Sequence, residues 1–254
     1  MFNESGFSLA GETITGLVRK HNEDNFLISA PPGRCTALAV VADGVGGHRH
    51  GEIVSYISCR DLGRAFKAQS DEALLAEGGA ERFLEENIAA INKRLFRINY
   101  EEFTLHPMSS TLVAVLFLPG FAVMANVGDS RFYMMTQAGE LKQVSTDHIL
   151  ANEDEFREFR EKFAAYANNT ISRSIGARHN LKIEIRRIPI KSGERFFLCS
   201  DGVYRDIDDE TLRQLLENSV TPRQSINRVM RSVLLNGARD NTTIVSVFQG
   251  KEVS

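Results

Sequence analysis

The amino-acid sequence predicts an α+β protein, an antiparallel β-sandwich with helices on its outer faces. Three observations predict it. Short apolar runs come in groups, as sheets require. Longer stretches between and after the groups repeat at helical spacing. Tight-turn signals join consecutive runs, so neighbouring strands must reverse direction.

Strand-like runs at 7–18, 25–30 and 36–42 come first. A helix follows over 51–67, where Ile53, Val54, Ile57, Leu62 and Phe66 form an apolar stripe. Over 81–103, Leu84, Ile88, Ile91, Leu95 and Ile98 step by four, three, four and three, an amphipathic face that core packing explains without any binding role. The runs 111–118 and 121–127 are joined by Pro119-Gly120, and 131–136 leads into a hairpin loop over 137–140. In 181–190, Ile183, Ile185 and Ile188 alternate among basic residues, which predicts a strand with one wet face, although Arg186-Arg187 breaks strict period two. Runs at 195–200 and 242–248 complete the strands. Between them, Thr221-Pro222-Arg223-Gln224 offers a cap, a proline at the first helical position and Gln at the third, starting a helix that carries Ile226, Val229 and Val233. No linker-like tract or repeat interrupts the series, so a single domain over 1–254 is expected.

Composition narrows the function. With 254 residues, 43% of them hydrophobic, the chain can bury a large core. A net charge of −3 supplies no basic field for nucleic acid or an anionic membrane. Cys35, Cys59 and Cys199 are odd in number and set in apolar stretches, so they read as reduced core thiols. Residues 1–10 lack a secretory pattern, and no apolar run approaches the roughly 20 residues that span a bilayer. A cytoplasmic location is expected.

The chemistry is foreshadowed by three aspartates placed where strands meet turns. Asp43-Gly44 follows 36–42, Asp201-Gly202 follows 195–200, and Asp240-Asn241 precedes 242–248. A buried strand holds such a carboxylate rigidly, and the glycine permits a sharp turn and a close ligand. Several strand ends meeting at one sheet edge would form a nest of hard oxygen donors suited to Mg²⁺ or Mn²⁺. Each dipeptide alone is a common turn; their company changes the reading.

Six motifs stand in order: Arg19-Lys20-His21-Asn22-Glu23-Asp24, Ala42-Asp43-Gly44-Val45-Gly46-Gly47-His48, Ser109-Ser110-Thr111, Asn126-Val127-Gly128-Asp129-Ser130-Arg131, Ser200-Asp201-Gly202 and Arg239-Asp240-Asn241-Thr242-Thr243. From Gly16 to about Phe248 the chain resembles the metal-dependent serine/threonine protein phosphatases of the 2C type, in their bacterial branch. The resemblance implies a four-layer α-β-β-α sandwich, two antiparallel sheets flanked by helices, with two Mn²⁺ or Mg²⁺ ions at one end. It implies that Asp43 bridges both ions and that Asp201 and Asp240 complete the first ion's carboxylates. The Gly44 carbonyl would reach the second ion, and Glu23 and Asp24 would orient waters or ligate directly. Bacterial relatives often bind a third ion, at positions matching Asp129 and Asp201. Arg19 matches the arginine that holds the substrate phosphate, and its planar fork suits that contact better than lysine.

The physics is consistent with such a site. A phosphate monoester is a dianion that repels hydroxide, and paired ions roughly 3.5–4 Å apart neutralise it and acidify a water. Without them the clustered carboxylates would repel one another and partly protonate. One position departs from the eukaryotic pattern: Val45 stands where a histidine is proposed as general acid. His48, His50 and His148 are the nearby candidates, each read first as a histidine of a polar loop. Ser109, Ser110 and Ser200 lack a histidine–acid pairing and are not read as nucleophiles. Gly44, Gly46 and Gly47 lack the Lys-Ser/Thr ending of a P-loop. Ser130-Arg131 is read as fixing the loop around Asp129.

A variable flap is expected at about 147–176. Its charged stretch around Phe156, Phe159 and Phe163 reads first as an amphipathic surface helix, and second as a lid that selects phosphopeptides. The function expected is hydrolysis of phosphoserine and phosphothreonine in proteins, opposing a bacterial serine/threonine kinase. Residues 198–204 look somewhat like phosphatases associated with type VI secretion. The alternative is a pseudophosphatase that binds a phosphoprotein or regulator, which would be expected to lack a metal aspartate. A phosphodiesterase or nuclease would need a basic groove.

Overall fold

A computed structural model describes residues 6–45, 50–102 and 107–250. Ten strands and eight α-helices run in the order β1 (Phe7–Ile14), β2 (Asn25–Ser29), β3 (Ala37–Ala42), α1 (Gly51–Ala68), α2 (Asp71–Leu75), α3 (Gly79–Glu102), β4 (Leu112–Leu118), β5 (Phe121–Val127), β6 (Arg131–Met135) and β7 (Leu141–Gln143). After two 3₁₀ turns come α4 (Arg157–Lys162), α5 (Ala164–Asn168), β8 (Glu184–Pro189), β9 (Arg195–Cys199), α6 (Asp201–Tyr204), α7 (Asp209–Glu217), α8 (Pro222–Leu235) and β10 (Thr242–Gln249). One antiparallel sheet has the order β1-β10-β9-β6-β7 and the other β2-β3-β4-β5-β8.

The four layers follow from strand parity. Along β3, Ala37, Ala39 and Val41 pack between the sheets with Val115, Phe117, Phe196 and Val247. Leu38, Val40 and Ala42 turn the other way, onto α1 and α3 through Leu62, Phe66, Leu84 and Ile88. The other sheet turns Tyr133, Phe197 and Ile244 outward against Leu212 and Leu216 of α7 and Ile226, Val229 and Val233 of α8. Strands covered on both faces need apolar or hydrogen-bonded small residues at every position, which is why 36–42 and 111–118 read as nearly unbroken runs, while Thr242, Thr243 and Ser246 of β10 are buried with hydrogen-bond partners. Phe117 bridges the inter-sheet core, its ring centroid 5.3 Å from Phe7 and 5.2 Å from Phe196.

The start of α8 obeys the capping rule: Thr221 accepts from the Gln224 N–H ahead of Pro222. Three expectations are corrected. The run 7–18 ends as a strand at Ile14; Gly16 then takes φ +79°, and Leu17 and Val18 are exposed. The exposed residues over 181–190 do not share one wet face, because Ile183 and Ile185 pack on the helix side while Ile188 packs between the sheets, leaving exposed Arg186 and Arg187 on opposite faces. The Arg186-Arg187 pair supplies that change of parity. Cys35 is only half-buried and its thiol lies 3.2 Å from Asp71, whereas Cys59 and Cys199 are buried; all three are free.

Candidate metal centre

The two sheets bring their acidic ends to a shared edge. Asp43 follows β3, and its backbone is held on both sides: its N–H donates to Thr111 Oγ1 at 3.0 Å, and its carbonyl accepts from Ser110 Oγ and the Thr111 N–H, each at 2.8 Å. Gly44 passes so close to the neighbouring chain that a Cβ would lie 2.6 Å from the Gly51 carbonyl carbon and 2.8 Å from Glu23 O.

Asp201 comes from the other sheet. Sequence reading places Asp201-Gly202 in a turn, but the pair opens the single-turn helix α6. Gly202 is needed for close approach rather than for an unusual φ, since a Cβ there would sit 2.1 Å from Asn241 O. Gly202→Ala is therefore expected to destabilise the protein by roughly 1–3 kcal/mol through overpacking. A urea midpoint equal to wild type would refute this.

Asp240 lies two residues before β10. Its Oδ1 accepts from the Asn241 N–H at 2.8 Å, and its Oδ2 pairs with Arg19 Nη2 at 2.7 Å. The Asn241 side chain accepts from the Glu23 N–H and donates to Thr15 O and His21 O, all at 2.9 Å. This one amide ties the 15–23 segment to the β10 edge and so places Arg19 and Glu23 over the aspartates. Sequence reading assigned it no role.

Arg19, Glu23, Asp43, Gly44, Asp201 and Asp240 meet in one cleft of about 380 Å³, which Ile171 also borders. Asp24 and Asp129 stand beside it. Asp24 is buried, and its Oδ2 accepts from Ser200 Oγ and Thr243 Oγ1 at 2.7 Å each. The Asp129 backbone carbonyl and Oδ2 accept from the Tyr204 hydroxyl at 3.0 and 3.2 Å. Arg131 stacks 3.6 Å over the Tyr204 ring and is held by Asp147 at 2.7 Å, while Ser130 Oγ meets Thr111 Oγ1 at 2.7 Å. Ser130 and Arg131 therefore do fix the loop around Asp129. Tyr204 and Arg205 were missed; the signal would have been a helical turn after Asp201, which puts residue 205 back over it.

The carboxylates are under strain of charge. Burial, then Asp24, Asp201, Asp129 and Asp240, push the Asp43 carboxyl well above the usual range. Burial likewise raises Asp24, Asp129 and Asp201 to about 6 each. Asp24 Oδ1 and Asp129 Oδ1 are buried without a hydrogen-bond partner. Among the described residues, no three His, Cys, Asp or Glu side chains are gathered tightly enough to hold an ion as they stand. Two ion pairs give the physical reason: Arg19 holds Asp240, and Arg205 holds Asp201 at 2.9 Å. The donor chemistry still fits Mn²⁺ or Mg²⁺, because the core of the site is a set of hard oxygens whose negative charge is only partly answered.

Neither His148 nor His50 is placed as a proton donor at the cleft. His148 is buried; burial and Arg173 lower it to about 4, and its Nδ1 accepts from the Gly128 N–H at 3.1 Å. It is a neutral brace for the Asp129 loop. His50 sits at φ +81° before α1 with Nδ1 3.6 Å from Glu52, and does not line the cleft. His48 lies outside the described residues, as do Gly46 and Gly47.

This architecture, a double sheet with an acidic edge cleft, is that of a phosphatase class. A family model described as protein phosphatase 2C matches residues 18–240. The chain is 30% identical to "Serine/threonine phosphatase stp" of Listeria monocytogenes over 92% of its own length and 93% of that protein. It superposes with a TM-score of 0.86 on a solved bacterial serine phosphatase, at 26% identity, covering 98% of this chain and 100% of that one. With PppA, described as a key regulatory component of T6SS in Pseudomonas aeruginosa, the TM-score is 0.79 at 30% identity, covering 95% and 96%. The chain belongs to the protein phosphatase 2C family, in its bacterial branch.

Proposed function

We propose that the protein hydrolyses phosphoserine and phosphothreonine in other proteins at a centre of two Mn²⁺ or Mg²⁺ ions, as a single domain over 1–254 whose flap lies at about 147–176. The observation that carries this reading is the half-buried Asp43 carboxyl, which lines the cleft among four other aspartates, a cluster that added positive charge makes stable in ionised form. The paired ions would supply neutralisation of the phosphate dianion and a water acidified toward neutral pH.

This chain's residues do the rest. Asp43, Asp201, Asp240 and the Gly44 carbonyl would hold the ions. Glu23, at the rim, would position water. Asp24 would orient Asp43 from behind, held there by Ser200 and Thr243. Arg19, now on Asp240, would turn its fork to the phosphate. Ser110 and Ser200 hydroxyls already donate, to Asp43 O and Asp24 Oδ2, which supports a water rather than a side chain as nucleophile.

The physiological role we propose is to oppose a serine/threonine kinase in the bacterial cytoplasm. The likeness to the Pseudomonas regulator and the 198–204 segment favour a kinase pathway that controls type VI secretion. Among the described residues no helix is long and apolar enough to cross a membrane.

Hydrolysis of an aryl phosphate and of a phosphothreonine peptide, each with Mn²⁺ and with chelator, tests the reading. Turnover is expected only with metal, and Asp240→Asn is expected to lose about 100-fold or more, comparable to losing a key electrostatic group. Undiminished Asp240→Asn turnover would undo the mechanism. An inactive wild type that still binds the phosphopeptide would identify a pseudophosphatase instead.

A further inference from the structure

The Asp129–Asp201 pair already has a cation. Arg205 is the residue just after α6, one helical turn beyond Asp201, and its Nη2 lies 2.9 Å from Asp201 Oδ2 and 4.0 Å from Asp129 Oδ2. The two carboxylates are nearly enclosed while the guanidinium is half exposed, so the charge is lowered onto them from the solvent side. Its placement is braced. Tyr204, the preceding residue, donates to Asp129 from the same turn, and its ring is pinned beneath Arg131, which Asp147 clamps.

These are the two side chains that the family resemblance offers to a third divalent ion, and here they do not fit one. A dication between them would lie within a few ångströms of a fixed positive charge. It would also have to shed water to gain carboxylates already partly neutralised. Arg cannot be deprotonated to make room. Displacing it would cost the charge-assisted bond to Asp201.

We propose that the Arg205 guanidinium is the built-in cation of the Asp129–Asp201 pocket and takes the place of the third ion, leaving a two-ion enzyme. The inference rests on the two-ion reading above. Arg205 then has a double effect. It answers part of the negative charge of Asp129 and Asp201 when divalent metal is scarce, and it holds Asp201 at the cleft.

Metal stoichiometry tests this independently of turnover. Chelator-stripped protein is titrated with Mn²⁺ by calorimetry, and bound ion is counted by equilibrium dialysis. Wild type is expected to take up two ions per chain, and Arg205→Ala three. Arg205→Gln, close in shape but neutral, is also expected to take up three and serves should the alanine variant fail to fold. Adding Asp129→Asn to either should return the count to two, which places the extra ion at this pocket. Three ions on wild type, two on both Arg205 variants, or a third ion that survives Asp129→Asn would each overturn the inference while leaving the two-ion centre standing. No uptake by wild type would overturn the two-ion reading itself, and this inference with it.

Discussion

Asp43→Asn is expected to abolish turnover, by about 100- to 1,000-fold or more, while making the chelated protein more stable. The two effects have one cause. Asp43 is half-buried and crowded by the carboxylates of Asp24, Asp201, Asp129 and Asp240, so without metal it must either carry a proton or leave a charge among like charges. An amide of the same shape can sit among them with no charge. A gain of about 0.5–2 kcal/mol is the usual scale when functional strain is relieved, or a few degrees in Tm for a chain this long. In Mn²⁺ the order should reverse, with wild type melting above the variant. A variant that keeps a tenth of wild-type turnover, or melts below chelated wild type at pH 8, would contradict this account.

Chelated wild type is expected to lose stability as pH rises from 5 to 8, and Mn²⁺ to restore it most strongly at the alkaline end. Asp24, Asp129 and Asp201 have folded pKa values of about 6 against a reference of 3.8, and Asp43 stands higher still. Their raised values mean that the folded state binds more protons than the unfolded state above about pH 4. Their favourable contribution is complete below the unfolded pKa and drains away as pH passes about 6 and above. Mn²⁺ requires the deprotonated carboxylates, so its effect must grow over the same interval. At a hundredfold excess over Kd one site contributes about 2.7 kcal/mol. At about 2–4 °C per kcal/mol for a chain of this size, a shift of roughly 5–10 °C is expected at pH 8. Thermal melts at pH 5, 6.5 and 8, with chelator and with excess Mn²⁺, decide it. A chelated Tm that is flat or rising over this range, or no Mn²⁺ shift at pH 8, would reject the electrostatic basis of the centre.

How much was legible in the sequence depends on what each segment touches. The inner strands were plain because burial on both faces leaves few polar positions to confuse the pattern. The long helices α1, α3 and α8 were plain because one stripe meets a sheet. The short elements were missed: α2 and β7 have only five and three residues, too few for a period to show. Helix α7 was missed although Asp208 caps it by accepting from the Thr211 N–H, since the run of acids there resembles a loop.

At the site, the strand-end aspartates and their glycines could be placed from sequence because covalent neighbours set them. Asn241 as a tether, Tyr204 as a brace and Arg205 as a counter-charge could not, because each acts across a gap that only folding closes. The same holds for His148, whose neutrality comes from its burial and from Arg173.

The cleft has one wall from each sheet: Asp43 rides on one, Asp201 and Asp240 on the other. Nothing within either sheet alone sets the gap between them. At the rim that distance is held by polar ties from sheet to sheet: Asp24, just ahead of β2, accepts from Ser200 and Thr243, and the Glu23 N–H donates to Asn241. The Phe7, Phe117 and Phe196 filling lies toward the opposite end of the strands. The ties thus act as a calliper for the acids, and loss of one would be felt first as a mis-set jaw.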